Sequence, residues 1–261
     1  MSPSPVKQSK PAECSRFSKG QVNRAGRVLL RLGEAAARLG ADRATEELGP
    51  TEIVMAFQAV TWWRTLHARP LSNVAANLRY HVDKEDGRIG GQIEVAQRLK
   101  RWTTMIDKLR REPKMQVTQM QDIGGVRALL PSLSHVYAVS RRLRKTWTII
   151  RVRDYIAQPK PSGYRALHLI VRRGGYPVEV QLRTVLQDAW ANQVEEDGRR
   201  IGVGLKFGVG AADIHAYYVV VSDAFAFLDR GEEIPAELGT ALNERYAKIR
   251  GTLPGREATT S

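Results

Sequence analysis

The chain has 261 residues, of which 43% are hydrophobic, and it carries a formal net charge of +14. This composition allows one substantial core with a smaller helical unit. A transmembrane protein is excluded because no run of about 18 apolar residues occurs, and the N-terminus has no apolar signal-peptide core. We therefore expect a cytoplasmic protein. The single cysteine, Cys14, excludes an internal disulfide and a cysteine metal cluster.

The positive charge is concentrated in three blocks, at residues 7–27, 98–114 and 141–153. The third block contains six lysines and arginines and no acidic residue. Such clusters attract polyphosphate or nucleic acid, and a solubilising surface is the alternative interpretation. The second and third blocks flank the motifs described below, which favours phosphate binding there.

Residues 1–16 are rich in proline, serine and lysine, which predicts a disordered basic leader. Residues 17–90 are predicted to form an N-terminal helical region. Apolar residues at steps of three and four predict four helices: from Ser18 to about residue 36, from Thr51 to Trp63, from about 71 to 82, and from about 92 to 111.

Residues 91–200 are predicted to form an α+β core with a mixed sheet, followed by a Gly-rich loop and C-terminal helices in residues 201–261. Strands are predicted at residues 126–131, 147–152, 167–171 and 177–183, with a basic helix at 136–145 and another from Thr184 to about Asp197. Gly174 and Gly175 mark a hairpin turn between the last two strands.

The strand over residues 178–183 alternates apolar side chains with Glu179, Gln181 and Arg183. Because strand side chains alternate between faces, these three polar groups are predicted to share one face. A solvated outer face is the simplest interpretation. A substrate-binding face, with Glu179 as a metal ligand, is the functional one.

Three further groups are candidates for binding a phosphorylated ligand. Asp122 precedes a glycine pair, where a bulky ligand could approach, although Asp before glycine is also common in turns. Lys100 and Lys108 are predicted to lie on one helix face, with Thr104 between them. The segment 158–168 holds Lys160, Tyr164 and His168 in a loop stiffened by prolines, which could contact phosphate and stack a base.

Together, these segments resemble the synthetase domain of the RelA/SpoT homologue family over about residues 92–197. Five stretches carry the resemblance: Arg98-Leu-Lys100 with Thr104 and Lys108, Asp122-Ile-Gly-Gly-Val-Arg127, the loop from Arg153 to His168, Glu179-Val-Gln-Leu-Arg-Thr184, and Ala189-Trp190-Ala with Glu195. The resemblance implies a nucleotidyltransferase-like core in which ATP donates its β,γ-pyrophosphate to a ribose 3′-hydroxyl and AMP leaves.

The resemblance also implies roles for individual residues. ATP would be bound by five residues, Arg98, Lys100, Thr104, Lys108 and Arg127. Mg2+ would be bound by Asp122 and Glu179, and Glu179 would also act on the acceptor hydroxyl. The acceptor would be bound by five residues, Lys160, Tyr164, His168, Gln181 and Arg183, with Tyr164 stacking on its base.

The chain departs from the family pattern in its loop, where Ser162 and Ala166 replace the usual Asn and Ser. This predicts weaker selectivity for guanine nucleotides. No His-Asp dipeptide occurs, so the resemblance does not extend to the family's hydrolase domain.

Two acceptors are compatible with these features. One is the 3′-CCA end of tRNA, as used by the toxic small synthetases of toxin–antitoxin systems, which would imply an antitoxin partner. The other is a free guanosine or adenosine nucleotide, giving an alarmone. The charge of +14 favours tRNA, because many phosphates must be neutralised. An inactive RNA-binding module is an alternative of a different class.

Overall fold

The protein is described by a computed structural model that covers residues 16–86, 94–202 and 212–251. The predicted leader, apart from residue 16, and most of the Gly-rich loop lie outside these residues. No helix in the described part of the chain is both long and apolar enough to cross a membrane.

Helices and strands follow one another in the order α1 (Lys19–Leu39), α2 (Ala41–Leu48), α3 (Pro50–Thr65), α4 (Ala68–Asp86), β1 (Val95–Leu99), α5 (Trp102–Arg111), a short 3-10 helix (Val117–Gln119), β2 (Gly124–Leu130), α6 (Leu133–Thr146), β3 (Ile149–Asp154), β4 (Leu167–Arg173), β5 (Tyr176–Thr184), α7 (Val185–Ile201), α8 (Ala212–Asp229) and α9 (Ala236–Ile249).

The described chain divides into two compact units. The first, called the helical unit, contains α1–α3 and residues 101–120 with α5. Within it, Ser18 caps α1 through the Gln21 backbone amide, and the Gln21 side chain binds the Ser18 amide in return. Gly26 of α1 lies against Val117, where an added Cβ would be only 2.3 Å from a methyl carbon.

The second unit, called the sheet unit, contains α4, the five strands and α6–α9. Its strand order is β1-β2-β5-β4-β3, with β2 and β5 parallel and the other neighbours antiparallel. The sheet is therefore mixed, and the α+β prediction is confirmed. Gly174 and Gly175 both adopt positive φ at the β4–β5 turn, so the predicted hairpin is also confirmed.

One face of the sheet is covered by α4 and α6. Its core is aliphatic and includes Val178, Val180 and Leu182 of β5, none of which is exposed to solvent. Alternation along each strand sends the remaining side chains to the opposite face. We call that second surface the site face.

The predicted helix over residues 92–111 is wrong in its first half and confirmed in its second. Residues 95–99 form β1, which pairs with β2, and only Trp102–Arg111 is helical. Tertiary pairing decides this segment, because Val95 and Leu99 pack on the core face of the sheet. Helix α3 begins at Pro50 rather than Thr51, and Pro70 lies in the first turn of α4 instead of ending the preceding helix. Helix α7 also extends past Asp197, through Gly198.

Candidate active site

The site face gathers polar side chains from neighbouring strands because residues opposite one another share a face. In the register of the sheet, Gln181 of β5 lies opposite Arg127 of β2 and His168 of β4. His168 in turn lies opposite Arg153 of edge strand β3. The prediction that Glu179, Gln181 and Arg183 share one face of β5 is confirmed, and that face is not the solvated one that the simplest interpretation would give.

Five side chains on this face form a closed ring of hydrogen bonds. Glu179 Oε1 lies 3.0 Å from His168 Nδ1, and His168 Nε2 lies 2.7 Å from the Tyr164 hydroxyl. Arg183 donates to that hydroxyl at 2.6 Å and to Gln181 Oε1 at 2.8 Å. The Gln181 amide nitrogen donates to Glu179 Oε2 at 2.6 Å and closes the ring.

Two opposite members of the ring, Arg183 and Glu179, constrain the direction of its hydrogen bonds. A guanidinium can only donate, and an ionised carboxylate can only accept. With a neutral His168 ring, Tyr164 accepts from Arg183 and donates to His168 Nε2, and His168 Nδ1–H donates to Glu179. Gln181 accepts from Arg183 and donates to Glu179, which gives a second hydrogen-bonded path between these two residues. The ring thus holds both oxygens of Glu179 in place from opposite sides.

The ring also keeps Glu179 ionised. Burial by itself raises the pKa of this carboxyl, but the hydrogen bonds that it accepts from His168 and Gln181, together with the nearby Lys100 charge, lower the pKa to about 2. Its charge is therefore complete at neutral pH. A buried, ionised carboxylate is suited to binding a cation or orienting a hydroxyl.

Asp122 lies two residues before β2 and forms an ion pair with Lys100, with 3.0 Å between Oδ2 and Nζ. Lys100 follows β1, and its backbone amide donates to the Ile123 carbonyl, which extends the β1–β2 pairing by one bond. Because the Lys100 charge also lowers the Glu179 pKa, both carboxylates face the same ammonium group.

The described residues contain no group of three or more His, Cys, Asp or Glu side chains arranged to hold a metal. Mg2+ is commonly held by one or two carboxylates together with substrate phosphates and water. Asp122 and Glu179 fit that donor set. Neither would form a metal site without a phosphorylated ligand.

A buried carboxylate that the sequence did not suggest lies behind the ring. Asp188 Oδ1 accepts from Arg127 at 2.8 Å and from Arg183 at 3.0 Å, and Oδ2 accepts from Asn192. Asp188 lies in the first turn of α7, which is capped by Thr184. The sequence signal that could have suggested this contact is the position of Asp188 five residues after Arg183, across the junction of β5 and α7.

The loop between β3 and β4 brings Lys160 over two aromatic rings. Its ammonium lies 4.6 Å from the ring centre of Tyr155 and 4.9 Å from that of Tyr164. The backbone turns back at this point, since the Gly163 amide donates to the Lys160 carbonyl. We call residues 155–166 the acceptor loop.

Helix α8 holds the acceptor loop from behind. Arg165 donates to the Ser222 hydroxyl, to Asp223 and to the Ile156 carbonyl, and Ser222 donates to the Gly163 carbonyl. Gly163 adopts φ of +85°, and an added Cβ would lie 3.1 Å from a backbone carbon of α8. Glycine is therefore required at position 163 for two separate reasons.

Two residues predicted to contact the acceptor are less accessible than expected. Tyr164 is only 3% exposed, because its hydroxyl lies in the ring and Lys160 lies over its face. Arg183 is also buried, and its guanidinium donates to Tyr164, Gln181 and Asp188. Neither side chain is open to a ligand in this conformation, and acceptor binding by Tyr164 and Arg183 stays a prediction.

The departure at position 166 has a packing explanation. Ala166 is fully buried in an apolar cluster with Trp190 of α7 and Tyr218 of α8. A serine hydroxyl there would need a hydrogen-bond partner within this cluster. Replacement of serine by alanine therefore does not by itself indicate a change in the acceptor.

The predicted ATP-binding helix is divided in the structure. Arg98 lies on β1, opposite Gly125 and on the site face, and Lys100 follows it. Thr104 and Lys108 lie on α5, which belongs to the helical unit. The prediction that Lys100 and Lys108 share a helix face is wrong, because Lys100 is not helical.

These motifs coincide with a match to a known family. A family model described as a region found in RelA/SpoT proteins matches residues 97–198. Over these residues the chain contains a RelA/SpoT region. The matched segment extends from β1 to α7 and includes the hydrogen-bonded ring, the acceptor loop and the Lys100–Asp122 pair.

Curated relatives share this RelA/SpoT domain. GTP pyrophosphokinase YwaC of Bacillus subtilis is 36% identical over 110 residues, covering 36% of this chain and 52% of that protein. An uncharacterized protein of Mycobacterium tuberculosis, Rv1366, is 29% identical over 192 residues, covering 62% of this chain and 67% of its own length. The chain spans about half the length of the GTP pyrophosphokinases it matches.

Solved structures confirm the fold of the RelA/SpoT domain and its neighbouring helices. Small alarmone synthetase 1 of Bacillus subtilis, bound to its product pppGpp, matches with a TM-score of 0.54 and 24% identity, covering 75% of this chain and 99% of that one. A GTP pyrophosphokinase family protein of Streptococcus pneumoniae matches with a TM-score of 0.51 and 22% identity, covering 72% and 97%.

Proposed function

We propose that the protein is an ATP-dependent pyrophosphokinase, which transfers the β,γ-pyrophosphate of ATP to a ribose 3′-hydroxyl and releases AMP. The observation that carries the proposal is the ionised Glu179, held at both oxygens beside the Lys100–Asp122 pair. The RelA/SpoT match over residues 97–198 supports it. Phosphoryl-type transfer depends mainly on in-line positioning and charge neutralisation, which these groups can supply.

Donor binding is assigned to the β1–β2 side of the site face. Arg98 and Lys100 would contact the ATP phosphates, and Arg127 lies next to them on β2, with its side chain 30% exposed. Thr104 and Lys108 are assigned to ATP by the family resemblance alone. Asp122 and Glu179 would hold Mg2+, which supplies charge neutralisation at the transferred phosphates when bound.

Acceptor binding is assigned to the β4 side and the acceptor loop. His168 and Gln181 would face the acceptor ribose, and Lys160 its phosphates. Stacking of a base on Tyr164 would require Lys160 to withdraw from the ring, which a phosphate ligand would favour. A pKa near 2 makes Glu179 a weak proton acceptor at neutral pH, so we assign it to metal binding and hydroxyl orientation more than to proton removal.

The acceptor that we favour is the 3′-CCA end of tRNA, whose modification would block translation. Arg151 and Arg153 are exposed on edge strand β3 and extend the site face away from His168. They could contact phosphates beyond the modified nucleotide. Arg141 and Arg144 of α6, by contrast, lie beyond the opposite face, so only part of the third basic block borders the site.

A free guanosine or adenosine nucleotide is the second candidate acceptor. Relatives named GTP pyrophosphokinase favour it. In that case the product would be an alarmone, and the β3 arginines would not affect turnover. The tRNA acceptor differs in one further respect, because a toxin of that kind would need an antitoxin protein to neutralise it.

The test uses ATP labelled in its γ-phosphate, with Mg2+ and a set of separate acceptors: deacylated tRNA, the same tRNA without its CCA end, GDP, GTP and ADP. We expect label on intact tRNA and none on the shortened tRNA. Transfer only to free nucleotides would overturn the tRNA assignment but keep the pyrophosphokinase. Transfer to no acceptor would overturn the enzyme proposal and favour an inactive binding module.

A further inference from the structure

Asp188 is the only carboxylate among the described residues for which ion pairs to two site-face arginines are seen. Its side chain is 7% exposed, and its Oδ1 binds both Arg127 and Arg183. Asn192, one helical turn further along α7, binds Oδ2. Asp188 thus lies beneath the site, outside the hydrogen-bonded ring, and connects α7 to strands β2 and β5.

The position of Arg183 depends on this carboxylate. The Arg183 side chain is 4% exposed, and a buried guanidinium is costly unless an opposite charge compensates it. One terminal nitrogen of Arg183 binds Asp188, and the other binds both Tyr164 and Gln181. Because a guanidinium is planar and rigid, fixing one nitrogen fixes the direction of the other.

The effect extends to both substrates. Through Arg183, Asp188 acts on the two hydrogen-bond paths that end at the oxygens of Glu179. Through Arg127, the same oxygen atom holds the partly exposed cation of β2. The Asp188 carboxylate therefore sets the position of Arg127, on the ATP side of the site, relative to Arg183, on the acceptor side.

We propose that Asp188 is a positioning residue of this site, which sets the orientation of Arg183 and Arg127 without contacting either substrate. The inference rests on the proposed pyrophosphokinase function. Substitution of Asp188 should therefore misplace catalytic groups, and misplacement by about 1 Å can reduce turnover by about 100-fold.

The experiment compares Asp188→Asn with the parent protein in steady-state transfer from ATP. We expect kcat/KM to fall by about 100-fold, mainly through kcat, in the protein that remains folded. Asp188→Asn combined with Arg183→Gln should lose less activity than the sum of the two single losses, because both changes interrupt the Arg183 path and only the Arg127 contact is independent of it. An unchanged kcat, or full additivity of the two changes, would overturn the proposal.

Asp197→Asn is the matched control. Asp197 is an equally buried carboxylate on α7, but it binds Tyr218 and Gln193 instead of arginines. We expect this variant to lose thermal stability and to retain its kcat and both KM values. If Asp197→Asn lost as much kcat as Asp188→Asn, general damage to α7 would explain the effect, and the proposal would fail.

A second readout separates this proposal from the proposed function. In the ligand-free parent, 15N-NMR of the His168 ring should show the Nδ1–H tautomer, because Tyr164 donates to Nε2. Asp188→Asn should give a mixture of tautomers once Arg183 is displaced. If the parent transfers no pyrophosphate, the enzyme proposal fails, and this spectrum alone still decides whether Asp188 orients the ring. An unchanged tautomer would count against it.

Discussion

The two faces of the central sheet are built on opposite principles, although both of them bury side chains of the same strand, β5. On the core face, Val178, Val180 and Leu182 are buried under α4 and α6 by apolar packing. On the site face, the alternate residues Glu179, Gln181 and Arg183 of the same strand are largely buried, and they satisfy one another through hydrogen bonds. Burial alone thus does not distinguish a core from a site.

The largest expected effect comes from Glu179→Gln, which removes the site-face charge while keeping the side-chain shape. We expect pyrophosphate transfer to fall by about 1000-fold, because charge stabilisation of this kind contributes about 100- to 1000-fold or more. Turnover by radiolabel transfer measures it. The thermal midpoint should also fall at neutral pH, because the hydrogen bonds from His168 and Gln181 to the charged carboxylate are weakened, so turnover is compared below the unfolding transition of the variant. Activity within tenfold of the parent would remove Glu179 from the catalytic centre.

Leu182→Ala tests the core face, at a position three residues after Glu179 in β5. Loss of this fully buried side chain should cost about 2–5 kcal/mol of unfolding free energy, from lost burial and the cavity left behind. Urea denaturation measures the loss, and kcat of the folded protein should remain near the parent value below the transition. A loss of kcat without a loss of stability would contradict the division between the two faces.

Gly163→Ala probes the support of the acceptor loop, and Gly175→Ala is its matched control. The two glycines have φ of +85° and +87°, but only Gly163 has heavy atoms of α8 near an added Cβ. Both variants should lose about 1 kcal/mol from backbone strain, and Gly163→Ala should lose more and raise the acceptor KM. Equal effects of the two changes on KM would rule out the α8 contact as the cause.

Reversal of charge at Arg151 and Arg153 should affect a tRNA acceptor and not a free nucleotide. We expect about a tenfold rise in the tRNA KM at moderate salt, and a shallower salt dependence. The matched control reverses Arg141 and Arg144 of α6, which are equally exposed and lie beyond the core face. Equal losses from both pairs would indicate a general charge effect without a defined path on the site face.

The smallest effect near neutral pH concerns the ionisation of Glu179. The folded state lowers its pKa from 4.5 to about 2, so its ring contributes stability above pH 4.5. That contribution is lost as the pH falls from 4.5 towards 2, because the unfolded state takes up the proton first. The difference in unfolding free energy between the parent and Glu179→Gln should shrink over this range. If the difference in unfolding free energy stayed constant over this pH range, the lowered pKa of Glu179 would be contradicted.

Several features could be predicted from local patterns. The β4–β5 hairpin follows from two glycines between β-prone runs, and the alternation in β5 predicts which of its residues share a face. The helix predicted over 92–111 is wrong for its first half, because the basic and apolar residues there fit both periodicities. Pairing with β2 decides in favour of a strand at 95–99.

The candidate site was predicted in part. Glu179, Gln181, Arg183 and His168 were singled out from motif and spacing, and the structure brings them together with Tyr164 in one ring. Asp188 was missed because its five-residue spacing from Arg183 does not show that a carboxylate in a helical first turn reaches two arginines from different strands. The roles of Thr104 and Lys108 stay predictions.

The sequence by itself determined which residue types the site could use, the α+β class, and the resemblance to the RelA/SpoT family. The tertiary structure decided which of those residues touch, how deeply they are buried, and the ionisation of Glu179. The physical reason is that periodicity and turn chemistry act over a few residues. Hydrogen bonds such as Arg127–Asp188, across 61 residues, depend on strand register and helix placement.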